Sequence, residues 1–261
     1  MFQKWLVLIF VPLFCISIVK ADDPRIEYWP NGNKKSEYEM KVGKENGKST
    51  NWYEDGSKKS EHEWLNGQKN GKSKLWFKSG KIKAEFGWKD GNLEGKSIFW
   101  YENGVKNNES EFKDGLYIGK SITWYDSGIK HFEWIYESNS SNYISYIWDE
   151  KGIKIAEIKT INDKKVKSIV YFANGTIRSE FEFKNDEIKK IINWYETGIK
   201  KDESEFIEDK SIWKTTKWDD KGVKISEVEA KIELLNDQTK VWKFEVDKFN
   251  EENKNYFELI K

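Results

Sequence analysis

One feature constrains the fold of this chain more than any other: an aromatic residue stands four positions before a glycine, again and again. The pairs are Tyr28/Gly32, Trp52/Gly56, Trp76/Gly80, Trp100/Gly104, Trp124/Gly128, Trp148/Gly152, Tyr171/Gly175, Trp194/Gly198 and Trp218/Gly222. Successive glycines are 24 residues apart, except for two steps of 23 between Gly152 and Gly198. A period of this length marks an array in which each supersecondary unit stacks on its neighbours. Trp242 lies 24 residues beyond Trp218 without a following glycine, so a tenth, degenerate unit is expected there.

Within a unit the pattern predicts two short strands and two turns. Runs such as Gly95-Lys96-Ser97-Ile98-Phe99-Trp100 are rich in strand formers and end in polar-plus-Gly dipeptides, among them Asn31-Gly32, Asp55-Gly56, Asn103-Gly104 and Asn174-Gly175. Those dipeptides read as hairpin turns, either two-residue or bulged, because Asn, Asp and Gly tolerate the positive φ that tight hairpins require. A second run follows, for example Lys81 to Trp88, and then a turn of the Asp90-Gly91 kind, which reads as the looser of the two. The expected fold class is all-β: an elongated antiparallel β-meander of about ten 24-residue hairpin units, as a single-layer or coiled sheet.

The first 21 residues stand apart. Met1 to Lys4 carries one positive charge, Trp5 to Val19 is nearly all apolar, and Val19-Lys20-Ala21 fits a signal-peptidase site. The apolar run is shorter than the roughly 20 residues that span a bilayer. A cleaved secretory signal over residues 1–21 is therefore expected, with membrane attachment only if it stays uncleaved. Localisation follows as secreted, periplasmic or cell-envelope. The one cysteine, Cys15, lies inside this segment, so neither a disulfide framework nor a thiolate site is expected beyond it. Residues 22–261 form a single array: regular units over 28–136, degenerate units over 137–248, where the Gly-Lys-Ser entry disappears, and a C-terminal cap over 249–261. A bend or looser turn is expected at Ser138 to Asn142.

Composition narrows the function classes. Forty-five basic residues balance 45 acidic ones, so no global field favours a polyanion and nucleic acid is not an expected partner. Fourteen Trp, 12 Tyr and 15 Phe separate the chain from charge-rich disordered segments. Five residues after each turn glycine stands a glutamate: Glu37, Glu61, Glu85, Glu109, Glu133, Glu157, Glu180, Glu203 and Glu227. Aligned like charges repel, so neighbouring strands must supply cations. Lys48, Lys72, Lys96 and Lys120, with Lys35, Lys59 and Lys83, are placed to do so. The carboxylate column reads as a solvated Glu/Lys ladder or, alternatively, a cation site, against which a spacing of about 10 Å works.

The aromatic column has two readings as well. Its rings cover the sheet together with lysine stems, or they serve as platforms for sugar rings or for apolar anchors of a partner protein. The candidate interaction surface is Trp52, Trp76, Trp100 and Trp124 with Glu61, Glu85, Glu109 and Glu133. No catalytic or metal-binding residue is expected. The recurrent Ser and Thr, such as Ser49, Ser73 and Ser97, have no repeated base beside them, and His62 and His131 are isolated. No cofactor is expected. Asn108-Glu109-Ser110, Asn139-Ser140-Ser141 and Asn174-Gly175-Thr176 match the glycosylation sequon.

The unit Trp100-Tyr101-Glu102-Asn103-Gly104-Val105-Lys106, followed by Lys113-Asp114-Gly115-Leu116 and Gly119-Lys120-Ser121, resembles the MORN-repeat variant of the YwqK-type antitoxin family. The likeness extends over residues 28 to about 230. It implies a β-hairpin array without catalytic residues and a role as partner of a secreted toxin, which an exported chain fits poorly. Three functions follow in order: an exported, non-enzymatic scaffold that binds a protein partner; carbohydrate or cell-envelope polysaccharide binding through the Trp column; and toxin neutralisation.

Overall fold

The computed structural model describes residues 22–137 and 141–231. The expected signal segment, Trp242 and the expected C-terminal cap lie outside the described residues. The fold is all-β and antiparallel, a repeat array of hairpins as the sequence predicts. The chain divides into two compact units at Gly104/Val105.

The first unit contains β1 (Arg25–Tyr28), β2 (Lys34–Lys41), β3 (Lys44–Trp52), β4 (Lys58–Leu65), β5 (Gln68–Trp76), β6 (Ile82–Lys89), β7 (Asn92–Leu93) and β8 (Gly95–Trp100). Strands β1 to β6 pair in chain order. Strand β6 then pairs with both β7 and β8, which are one strand interrupted near Gly95. The second unit contains β9 (Lys106–Lys113), β10 (Leu116–Trp124), β11 (Lys130–Tyr136), β12 (Tyr143–Trp148), β13 (Lys154–Ile161), β14 (Lys164–Tyr171), β15 (Ile177–Lys184), β16 (Glu187–Trp194), β17 (Lys200–Ile207), β18 (Ile212–Trp218) and β19 (Lys224–Lys231). Each of these pairs with the next.

Of the two turn types, the Asp90-Gly91 kind, expected to be the looser, is the tight one, and the Asn31-Gly32 kind takes the bulged of its two expected forms. At Trp29-Pro30-Asn31-Gly32-Asn33 the Gly32 N–H donates to the Trp29 carbonyl (2.9 Å) and the Trp29 N–H to the Asn33 carbonyl (2.8 Å). This is a three-residue loop with the glycine as a left-handed bulge residue, at φ 87°. Asn31 itself is not left-handed; its Oδ1 accepts the Asn33 N–H at 3.0 Å, as Asp55 does from Ser57 and Asn174 from Thr176. The tight two-residue turns are instead Val42-Gly43, Asn66-Gly67, Asp90-Gly91, Asp114-Gly115, Asn162-Asp163 and Asn185-Asp186. Both residues of each have positive φ, the signature of a type I′ hairpin. Strands β11 and β12 are joined by a longer loop, closed where the Glu137 N–H donates to the Asn142 carbonyl at 2.9 Å; residues 138–140 of it lie outside the described residues.

The Gly-Lys-Ser motif marks a third irregularity. Between the pairs His62↔Ser73 and Trp64↔Lys69 the register slips. The extra residues form a bulge in which Gly71 has φ 106°, and the Glu63 carboxylate folds over it to accept the Lys72 N–H at 2.9 Å. A Cβ on Gly71 would lie 2.0 Å from Glu63 Oε2. Glu39, Gly47 and Lys48 repeat the arrangement. In the shorter unit between Gly152 and Gly175 the glycine is gone, and the register slips by one residue instead of two, between Thr160↔Lys165 and Lys159↔Lys167.

Side chains alternate between two faces. One carries the Trp, Lys and Glu columns. The other is lined by small buried residues, Ser49, Ser60, Ser73, Ala84 and Ser97 in the first unit. In the second, Ile147, Ala156 and Ile158 form an apolar cluster against Phe132. A buried serine fits there because a flat indole lies over it and bonds it: Trp64 Nε1 donates to Ser49 Oγ at 2.7 Å and Trp88 Nε1 to Ser73 Oγ at 2.9 Å.

Candidate functional site

The carboxylates of the candidate surface are closed by lysines from two directions. Glu61 is bonded by Lys48 across the strand pair (3.0 Å) and by Lys58 three residues before it. Glu133 repeats this with Lys120 (3.2 Å) and Lys130 (2.8 Å). Glu85 pairs with Lys74 at 2.7 Å, and Glu109 with Lys106. Burial acts to raise the Glu61 and Glu133 carboxyls, but hydrogen bonds from their two lysines outweigh it and hold both below the ordinary range. Glu203 is held down chiefly by Lys190 and Lys200. Glu227, between Lys214 and Lys224, falls to about 2.

The sequence identified these cations only in part. Lys48 and Lys120 act as expected, but the second cation is Lys34, Lys58, Lys106 or Lys130, two residues after the turn glycine. Lys35, Lys59 and Lys83 instead lie over the rings of Trp29, Tyr53 and Phe77, at 5.6, 5.7 and 5.6 Å from their centroids. The carboxylate-bound lysines also touch the aromatic column: Lys34 lies 5.7 Å from the Trp52 ring, Lys58 5.2 Å from Trp76 and Lys106 5.9 Å from Trp124. Each such unit thus closes a Glu–Lys–Trp relay on one face. Trp100 breaks the series, because Ile82 stands where the lysine belongs. All four tryptophans are half-buried.

The residue after each Trp works differently. Tyr53, Tyr125 and Tyr195 donate their hydroxyls to the carbonyls of Trp76, Trp148 and Trp218, at 2.9, 3.0 and 3.1 Å. They tie each bulged turn to the following one.

On the opposite face, sequence reasoning passed over a second column. Three residues after the glutamates from Glu37 to Glu203 stand Met40, Trp64, Trp88, Phe112, Tyr136, Thr160, Phe183 and Phe206, each paired across its hairpin; after Glu227 the position is Ala230. The pairs include Trp64↔Lys69, Phe112↔Tyr117, Tyr136↔Tyr143, Thr160↔Lys165 and Phe206↔Trp213. The signal was present at the same period, obscured by its mixture of residue types. Lys69 lies between two indoles, 5.8 Å from Trp64 and 4.8 Å from Trp88. His62 is half-buried beside them, with Nδ1 2.7 Å from Ser73 Oγ. Burial, aided by the Lys69 charge, pushes its pKa down to about 4. Ser73 Oγ thus meets both the Trp88 Nε1–H and His62 Nδ1. Among the described residues no group of three or more His, Cys, Asp or Glu is placed to hold a metal ion.

Two segments match the MORN repeat variant. They are residues 93–114 and 166–185. Each runs from the strand before a bulged turn through the strand after it and ends at a type I′ turn, so the matched segment is the structural unit itself. Among curated proteins, none matches the chain. MORN repeats are generally found in repeat scaffold proteins, a role compatible with faces built from repeated side chains.

Proposed function

We propose that the chain is an exported, non-enzymatic scaffold that binds a protein partner through the faces of its MORN-like array. The observation that carries this reading is the repetition of one hairpin unit, two copies of which match the MORN repeat variant. The candidate Trp and Glu residues are the repeated lining of one such face.

Polysaccharide binding through Trp52, Trp76 and Trp124 is the weaker reading. Stacking on a sugar needs a free ring face, and lysine ammonium groups lie over these rings. The toxin-neutralising role rests on family likeness alone.

Affinity capture with the chain as bait, from envelope extract and from cytosol, tests the proposal. One stoichiometric partner, enriched from the envelope and lost on competition with untagged chain, supports it. A saturable tryptophan fluorescence change with cell-wall polysaccharide, and no such partner, overturns it. Export is tested separately by sequencing the N-terminus of the mature protein, expected to begin at Asp22.

A further inference from the structure

From Trp64 to Phe206 the column three residues after each glutamate lacks a ring at one position. In the second unit the rings run without interruption from Phe112 to Tyr143: Phe112–Tyr117 at 4.5 Å, Tyr117–Tyr136 stacked at 5.2 Å and 15°, and Tyr136–Tyr143 at 5.5 Å. The next position is Thr160, paired with Tyr143 on one side and with Lys165 on the other. Beyond it the column resumes with Phe183 and with Phe206, whose ring lies 5.6 Å from Trp213.

The missing ring leaves an open cleft of about 290 Å³ lined by Trp134, Tyr143, Ile158, Thr160 and Lys165, among others. Ile158 and Thr160 are buried at its floor. Such a volume suits a single ring system, at the small end of the roughly 300–1,000 Å³ typical of ligand sites. Tyr143 meets Thr160 where Tyr117, one hairpin earlier, meets the Tyr136 ring. Lys165 occupies the repeat position of Lys69, yet lacks the ring that Lys69 has from Trp64 in its own hairpin. The cleft therefore offers a ring face on one side and an ammonium on the other.

We propose that this gap receives an aromatic side chain carried by a partner protein, whose ring completes the column between Tyr143 and Lys165. The inference rests on the scaffold reading and adds the chemistry of the partner. Indole is the favoured ring, because Asp163 and Asp186 also line the cleft and accept from an N–H donor. Stacking on Tyr143 and a cation–π contact with Lys165 each contribute a modest, specific gain.

N-acetyl-L-tryptophan amide, titrated into the full chain and followed by saturation-transfer NMR, tests the site. Saturation of the indole protons is expected, with N-acetyl-L-leucine amide at least about fivefold weaker. Tyr143→Ala and Lys165→Met should each weaken indole binding by roughly two- to fivefold, while Lys69→Met leaves it unchanged. Thr160→Trp fills the gap from within and should abolish it. Should that variant fail to fold, the Tyr143 and Lys165 variants decide. Absence of indole saturation, or binding indifferent to both of those variants, overturns the inference. The scaffold reading fails independently: a partner that is captured equally by wild type and Tyr143→Ala leaves the scaffold standing and the cleft without its role.

Discussion

At the scale of single residues, the buried serines set terms that their surroundings meet unevenly. Ser60 Oγ accepts from Asn51 Nδ2 at 3.0 Å, but Ser36, one unit earlier, is 3% exposed and its Oγ has no partner. Glu27 stands where Asn51 would be, so the donor is missing. Ala84 and Ala156 fill the same column. Ser36→Ala should therefore stabilise the protein by up to about 1 kcal/mol, read as a higher urea midpoint at unchanged slope; a lower midpoint would show that the hydroxyl has a partner after all. His62 behaves oppositely with pH. Its folded pKa of about 4 lies below the unfolded value of about 6.5. Between these values the unfolded chain binds a proton that the folded chain refuses, and stability falls as pH drops from about 6.5 to 4. Solvent screening reduces the effect to about 1–2 kcal/mol. His62→Phe, which copies Phe86 of the next unit, should flatten the unfolding free energy across that window. A pH profile identical to wild type would contradict the assignment.

At the scale of the element, turns carry the most local information and proved the easiest to misread. Asn-Gly and Asp-Gly occur in both turn types, and the dipeptide alone does not reveal whether its first residue is left-handed. That depends on whether the strands close over two residues or three, which the flanking register decides. The strands themselves were legible, because alternation and period reinforced each other over nine units. The cations were half-legible: strand order placed Lys48 and Lys120 opposite the carboxylates, but the bulged turn brings Lys58 and Lys130 back toward them, a geometry invisible without the turn. Val42 shows the cost of an ill-suited turn residue. It is β-branched, 77% exposed and held at φ 49°, where Asn66 and Asp90 stand in sister turns. Val42→Asn should gain about 0.5–1 kcal/mol, seen as a raised thermal midpoint. No gain would mean that Val42 makes a compensating contact.

At the scale of the whole molecule, balanced charge is a consequence of pairing within each repeat. Glu61, Glu133, Glu203 and Glu227 have folded pKa values below their ordinary ones. Their contribution is complete above the unfolded carboxylate pKa of about 4.3 and disappears as pH falls through the lower folded values. Acid unfolding should accordingly steepen below about pH 4, beneath the window assigned to His62. In 1 M salt the steep limb should shrink, because these pairs are partly exposed and screened; a limb insensitive to salt would place its origin elsewhere. The second aromatic column was illegible at this scale for a plain reason. Composition counts rings but not gaps, and the one threonine in the series acquires meaning only once the hairpins are in register.

The bulge at Gly-Lys-Ser has a consequence for how such a chain changes length. A 24-residue unit and a 23-residue unit leave every other side chain on its own face, because the difference is absorbed where two strands already disagree in number. Elsewhere in a strand a single inserted or deleted residue exchanges inside for outside along the remainder of that strand. The bulge is thus the place in each unit where the reading frame of the sheet has slack, and the natural point at which to graft a short foreign segment without disturbing its neighbours.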